Sequence, residues 1–202
     1  MEDIKQNILE TSLELFKQYG IRSVSIDDIC RRLGMSKKTF YQYFPGKTEL
    51  VEEVLSFLQQ RSLECAHKYT EGKSALECVR LLQKVHSNIE DVHDKPTFHY
   101  DLQKYYPKQY KQHLHNIHNN IRHILEQHLR QGIKEGLYRK SLDVEMCATM
   151  YSLIQYMFVQ NENELKSVDV KRLMSFAISS FFRSIVSTEG AELLKNEFPE
   201  KN

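Results

Sequence analysis

Four side chains within the octapeptide 37–44, Lys37, Lys38, Tyr41 and Gln42, have the chemistry to read the edges of base pairs. A lysine in the major groove favours guanine, and a glutamine can form two hydrogen bonds with adenine. Around them stand hydroxyls and a further cation suited to phosphate oxygens: Ser25, Ser36, Thr39, Tyr43 and Lys47. From Cys30 to Thr48 the chain carries five cations and no carboxylate. The local charge is positive although the whole chain of 202 residues has a formal net charge of +1. It is the local potential that gathers a polyanion.

The sequence around these groups predicts two short helices that would hold them. In the first, Ile26, Ile29, Cys30 and Leu33 fall at i, i+3, i+4 and i+7 and make one apolar stripe. Ser25, with Asp28 three residues later, forms a capping-box pattern that marks where this helix starts. Gly34 permits the positive φ of a sharp turn, and Ser36 can cap the next helix. That second helix is expected over 37–44, stopped by Pro45 and Gly46. At about 100° per residue, Phe40 and Phe44 share an inward side, Lys37, Lys38, Tyr41 and Gln42 an outward sector, and Thr39 and Tyr43 a third strip. Two helices joined in this way form a helix-turn-helix, whose second helix enters the major groove.

Residues 4–55 resemble the DNA-binding domain of the tetracycline-repressor (TetR) family of bacterial transcription regulators. The resemblance is carried by Leu15-Phe16-Lys17-Gln18-Tyr19-Gly20, by Ser25-Ile26-Asp27-Asp28-Ile29, by the run from Gly34 to Phe44, and by Lys47-Thr48-Glu49-Leu50. The chain departs from the family pattern at Cys30, a position usually held by alanine, and at Pro45-Gly46, where polar residues are commoner. The resemblance implies an all-α protein. A three-helix helix-turn-helix domain over 1–46 would be joined by a long helix to a larger helical domain over 47–202, which binds an effector and dimerises. Motion of the helix that begins at Lys47 would then alter the separation of two DNA-reading heads.

Beyond the motif, glycine and proline are sparse and apolar residues recur at helical spacing. Helices are predicted from 47 to about 69, from 74 to about 92, and over 96–106, 107–135, 143–160 and 168–187, with a polar break at Asn161-Glu162-Asn163. The last two are apolar on more than one side and so must bury two faces. Periodicity alone is also met by central helices of a monomeric bundle. Family members dimerise through their last two long helices, so the resemblance places Met150, Ile154, Met157, Met174, Ile178, Phe181 and Phe182 at a two-fold seam. Phe98, His99, Tyr100, Tyr105, Tyr106 and Tyr110, joined by Met157, are the candidates to line an effector cavity, and the same aromatics would serve equally as core.

The other classes of chemistry find less in the sequence. Five histidines, His113, His115, His118, His123 and His128, ring one predicted helix, and only His115 and His118 share a face, which is too few for a metal. The cysteines at 30, 65, 78 and 147 form no Cys-x-x-Cys pair. No phosphate loop, nucleophile elbow or His-Glu-x-x-His is present, and no apolar run nears the length of a membrane span. The expectation is a cytoplasmic, homodimeric, ligand-responsive repressor, not an enzyme, that needs no cofactor. Its partners would be an inverted-repeat DNA operator, a second copy of itself and a small-molecule effector.

Overall fold

A computed structural model describes residues 2–87, 96–160 and 168–195. Among these the elements are all α-helices: α1 (Glu2–Tyr19), α2 (Ile26–Leu33), α3 (Lys37–Tyr41), α4 (Lys47–Thr70), α5 (Ala75–Ser87), α6 (Pro96–Tyr105), α7 (Pro107–Lys134), α8 (Val144–Gln160), α9 (Val170–Ile185) and α10 (Thr188–Leu194). The β-pairing among the described residues is a single isolated antiparallel bridge between Tyr138 and Val186. The expected continuation of α5 to residue 92 and the polar break at 161–163 lie outside the described residues. The protein is all-α, as the resemblance implies.

The chain forms two compact units, Met1–Cys65 with Val92–His115, and Ala66–Asp91 with Asn116–Asn202. The division expected after residue 46 therefore falls inside the first unit. The reason lies in its core: Ile8, Leu13, Phe16, Ile21, Ile29, Phe40 and Phe44, from the first three helices and the turns that follow α1 and α3, pack with Leu50, Val51 and Val54 of α4 and with Phe98 and Leu102 of α6. A domain as small as the first three helices has little surface to bury by itself. Here α4 and α6 supply the missing walls.

In the second unit, Val79 of α5, Leu125 and Leu129 of α7, Tyr151 of α8, and Ile178, Phe181, Phe182 and Ile185 of α9 form a separate core rich in tilted and edge-on rings. After α7 the backbone folds back on itself. Leu137 N–H donates to the Gly132 carbonyl and Ser187 N–H to that of Leu137, while the Ser187 hydroxyl donates to the Gly136 carbonyl. Gly132 is obligatory here, because a Cβ would lie 2.3 Å from the Tyr138 ring. Helix α10, capped by Ser187 through Gly190 N–H, was not expected from the sequence. At seven residues it is too short for its periodicity to stand out.

Candidate nucleic-acid interface

Sequence dictates the geometry of the reading head turn by turn. The capping box at Ser25 closes in both directions. Asp28 N–H donates to the Ser25 hydroxyl oxygen (3.2 Å), while the Ser25 N–H (2.9 Å) and O–H (2.5 Å) donate to the Asp28 carboxylate. Those bonds hold the Asp28 carboxyl below its ordinary range, with Ser25's hydroxyl the largest cause. Gly34 sits at φ 63, where its N–H and that of Met35 take up the last carbonyls of α2. Ser36 then caps α3 through Thr39 N–H (3.1 Å). A cap of this kind stabilises by about 1 kcal/mol.

Helix α3 is shorter than expected. Regular helix ends at Tyr41, and Gln42 and Tyr43 form a tighter turn in which their N–H groups donate to the carbonyls of Thr39 and Phe40. The residue before a proline avoids the helical region, so the coil tightens before Pro45 and carries Phe44 inward. The inward assignment holds: Phe40 and Phe44 are buried, with ring centroids 5.6 Å apart. Lys37, Lys38, Tyr41 and Gln42 are exposed, while Thr39 and Tyr43 are half-buried along one edge.

The charges around this face are arranged less freely than the sequence suggests. Lys37 pairs with Asp27 at 2.6 Å, Arg31 with Asp28 at 3.5 Å and Arg32 with Glu14 at 3.6 Å. The bond to Asp27 raises the pKa of the Lys37 ammonium. Acids from α1 and α2 thus sit beside a stretch that contains none of its own. Among the described residues, Lys38 is the cation of α3 that points out without a carboxylate beside it.

Lys47 has a different position from the one expected of a phosphate contact. Its half-buried ammonium donates to the Val24 carbonyl at 2.5 Å. Burial lowers its pKa, and the charges of Asp101 and Asp28 oppose that shift. Lys47 ties the start of α4 to the turn before α2, a role that follows from folding and not from sequence spacing. Ser25 is exposed but engaged with Asp28, and the Ser36 hydroxyl lies 2.9 Å from that of Thr39.

The second group of candidates, expected to line an effector cavity, is not assembled as one. Phe98 is buried in the first unit's core, His99 lies edge-on to it, and Tyr106 and Tyr110 pack against the same core. Tyr100 is exposed and accepts a hydrogen bond from Lys104, and the Tyr105 hydroxyl accepts one from Arg22 at 2.7 Å. Met157 belongs to the second unit, where it is exposed. Phe98, His99, Tyr100 and Tyr105 lie on α6 and Tyr110 on the first turn of α7, and both segments belong to the first unit. The buried carboxylate of Asp101 accepts the Arg22 N–H at 2.8 Å, and Gly20, at φ 84, is required because a Cβ would come within 2.9 Å of that carboxylate. Nothing in the sequence links Asp101 to Arg22, 79 residues apart.

The expected seam residues divide as well. Ile178, Phe181 and Phe182 are buried in the second unit's own core, and Met174 is half-buried against it. The apolar side left open is instead Met146, Met150, Leu153 and Met157 on α8, at i, i+4, i+7 and i+11, with Leu173 and Phe176 on α9. Ile154 is half-buried at the edge of that stripe. The sequence showed that α9 must bury two sides, but choosing which residues lay on which side required knowing where α8 packs. Among the described residues no group of histidine, cysteine and carboxylate side chains is gathered as a metal site, and no helix is long and apolar enough to cross a membrane.

Comparison with known proteins agrees with the local geometry. Residues 8–54 match the family model of bacterial regulatory proteins, tetR family. An uncharacterized HTH-type transcriptional regulator, YuxN of Bacillus subtilis, is 36% identical over 62 residues, covering 31% of this chain and 21% of the relative. SrpR of Pseudomonas putida, an HTH-type transcriptional regulator, is 33% identical over 58 residues, covering 29% and 27%. These two curated relatives are thus matched over only about a quarter of their length. The HTH-type transcriptional repressor KstR2 of Rhodococcus jostii is 23% identical over 147 residues, 70% of this chain and 71% of that one. The solved structure of a transcriptional regulator from Cytophaga hutchinsonii superposes with a TM-score of 0.71 at 19% identity, covering 89% of this chain and 97% of that one. That similarity speaks for the fold of the whole chain. Residues 8–54, which form most of the N-terminal helix-turn-helix region, are thus a domain of the tetR family of bacterial regulatory proteins.

Proposed function

We propose that the chain is a homodimeric, ligand-responsive transcriptional repressor that reads an inverted-repeat DNA operator through the outer face of α3. The observation that carries this reading is the division of α3 itself. Phe40 and Phe44 are buried while Lys38, Tyr41 and Gln42 face outward on a helix of fixed start and tight end. Lys38, Tyr41 and Gln42 meet base edges or the groove wall, and Lys37 joins them by exchanging Asp27 for DNA. Ser25, Ser36, Thr39 and Tyr43 grip phosphates beside the groove, and Lys47 positions the turn that carries them.

A second copy of the chain covers the stripe of Met146, Met150, Leu153, Met157, Leu173 and Phe176. Exposed apolar side chains contiguous over two helices are uncommon on a monomer, and a two-fold seam sets two reading heads at a fixed spacing along the duplex. The effector enters the second unit and shifts that spacing. The relative KstR2 is by its name a repressor, which supports the same sign of regulation here. The chain acts in the cytoplasm, where operator DNA lies, and performs no catalysis.

Selection of duplexes from a randomised pool by the purified chain tests this reading. The expected product is a family of inverted repeats, bound with an affinity that falls steeply with salt. Failure to enrich any sequence would sink it. Replacing Phe176 by Glu should convert the dimer to monomer in sedimentation at micromolar concentration while helicity is kept.

A further inference from the structure

At the exposed side of α6, two cations of the first unit are held by phenols instead of carboxylates. The Arg22 guanidinium lies over the Tyr105 ring, 5.0 Å from its centroid, and donates to the Tyr105 hydroxyl at 2.7 Å. The Lys104 ammonium stands 5.0 Å from the centroid of Tyr100 and 5.5 Å from that of Tyr105, and donates to the Tyr100 hydroxyl at 2.7 Å. All of these side chains are exposed. Among the described residues neither cationic head has a carboxylate partner, whereas Lys37, Arg31 and Arg32 of the same unit each have one. Asp101, the carboxylate of α6, is buried and turned to the Arg22 backbone N–H.

We propose that Arg22, Lys104, Tyr100 and Tyr105 form a second DNA contact, a clamp on the phosphodiester backbone beside the face of α3. The proposal rests on the reading of α3 as the helix that meets base pairs.

The chemistry of the patch selects an oxyanion. Each phenol oxygen accepts from a cation, which leaves the phenol's own proton to be donated, and neither proton has an acceptor among the described residues. The cluster therefore offers donors only: a guanidinium fork, an ammonium and two hydroxyls. Phosphate oxygens accept all of these, and the charged donors make the stronger bonds. A cationic partner would be repelled. A surface serving stability alone would not gather two like charges about the Tyr105 ring with no carboxylate between them.

The position of the patch selects DNA among oxyanions. Arg22 lies three residues before Ser25, the cap of α2. Its backbone is fixed by the 2.8 Å bond to Asp101. The Lys47 ammonium, tied to the Val24 carbonyl, is acted on by the charges of both Asp101 and Asp28, and Asp28 is the partner of Ser25. One set of contacts thus joins the phenol-held cations to the start of the helix-turn-helix. Helices α3 and α6 belong to the same compact unit, so the patch keeps its place beside the reading face as a duplex docks. A duplex carries one negative charge roughly every 1.7 Å along its axis, so a cationic clamp beside the groove meets phosphate whatever the sequence.

The test compares the full chain with an Arg22→Gln, Lys104→Gln double variant, on the duplex selected by the unaltered chain and on an unrelated duplex. The double variant should bind both about tenfold or more weakly, by the same factor, and the salt slope should fall by about two for each half-site. An Arg22→Lys, Lys104→Arg variant, which keeps both charges, should keep the slope. Ethylation of single phosphates should mark backbone positions that interfere with binding of the unaltered chain and no longer with that of the double variant. Equal affinity and slope in the two proteins, or identical interference patterns, overturns the proposal. So does a loss of affinity at unchanged slope with a lower melting temperature, which would assign the cluster to the fold only. Saturable binding of pyrophosphate shown by the unaltered chain alone, with DNA affinity the same in both, would make the patch a small-anion site and overturns it too. Charge-dependent binding of the unrelated duplex without enrichment of any sequence defeats the regulatory reading alone, whereas a selected operator bound equally by both proteins defeats this inference alone.

Discussion

The two units of the chain place their large apolar groups differently. In the reading head the large apolar side chains turn inward, the helix starts are capped by Ser25 and Ser36, and Lys37, Arg31 and Arg32 each have a carboxylate beside them. The second unit exposes a methionine-rich stripe along α8 and the Phe176 ring on α9. A module that must hold one surface rigid against DNA has to be complete in itself. On the proposed function, the second unit keeps an apolar face whose partner comes from outside.

The sharpest way to break this comparison is to truncate one phenylalanine in each unit. Phe40→Ala should destabilise the chain by about 3–5 kcal/mol in denaturant unfolding, because the ring is fully buried. Phe176→Ala removes the same atoms from a site that is 68% exposed and should change monomer stability by less than about 0.5 kcal/mol. Similar losses at the two positions would erase the distinction.

The next effect in size is a pH dependence located in the second unit. Desolvation lowers the pKa of His128 to about 4, against the opposing pull of Glu135. The neutral ring is favoured in the folded state, so its contribution is complete above about pH 6.5 and is lost as the pH falls through about 4, a total of about 3 kcal/mol. Unfolding free energies measured between pH 7 and 4 should show that fall, and a His128→Asn variant should flatten it.

Smaller still are the contacts at the DNA face. Gln42→Ala should cost about 1–3 kcal/mol at one operator position and leave other positions unaffected, as binding to single-base operator variants would reveal. Lys38→Ala should reduce the salt slope by about one and weaken binding most at the operator position that Lys38 meets. Loss of Asp27 as an ion-pair partner, in Asp27→Asn, should raise retention of unrelated duplexes at low salt, because Lys37 is then free to meet any phosphate. Unchanged retention would show that the pair does not restrain it.

Much of the reading head was legible in the sequence because its signals are local. The cap at Ser25, the turn at Gly34, the inward pair Phe40 and Phe44 and the proline stop each act within a few residues. What escaped was the set of contacts between distant segments. Asp101 on the Arg22 backbone and Lys47 on Val24 depend on where α6 and α4 pack, as does the acid that Asp27 and Glu14 bring to a stretch with none of its own. In the second unit the existence of the long helices could be read from periodicity, but not which side of α9 faces inward. A helix apolar all round carries no phase, so Ile178, Phe181 and Phe182 could not be told from Leu173 and Phe176.

The central claim is that the outer face of α3 reads base pairs in duplex DNA. Its most direct test is the affinity of a Lys38→Ala, Gln42→Ala double variant for the duplex selected by the unaltered chain, measured by fluorescence anisotropy at fixed salt alongside the melting temperature. A loss of about a hundredfold or more with unchanged melting is the result this geometry requires, since both positions act in each half-site. Undiminished affinity in the folded double variant would place the DNA contact elsewhere and contradict the account.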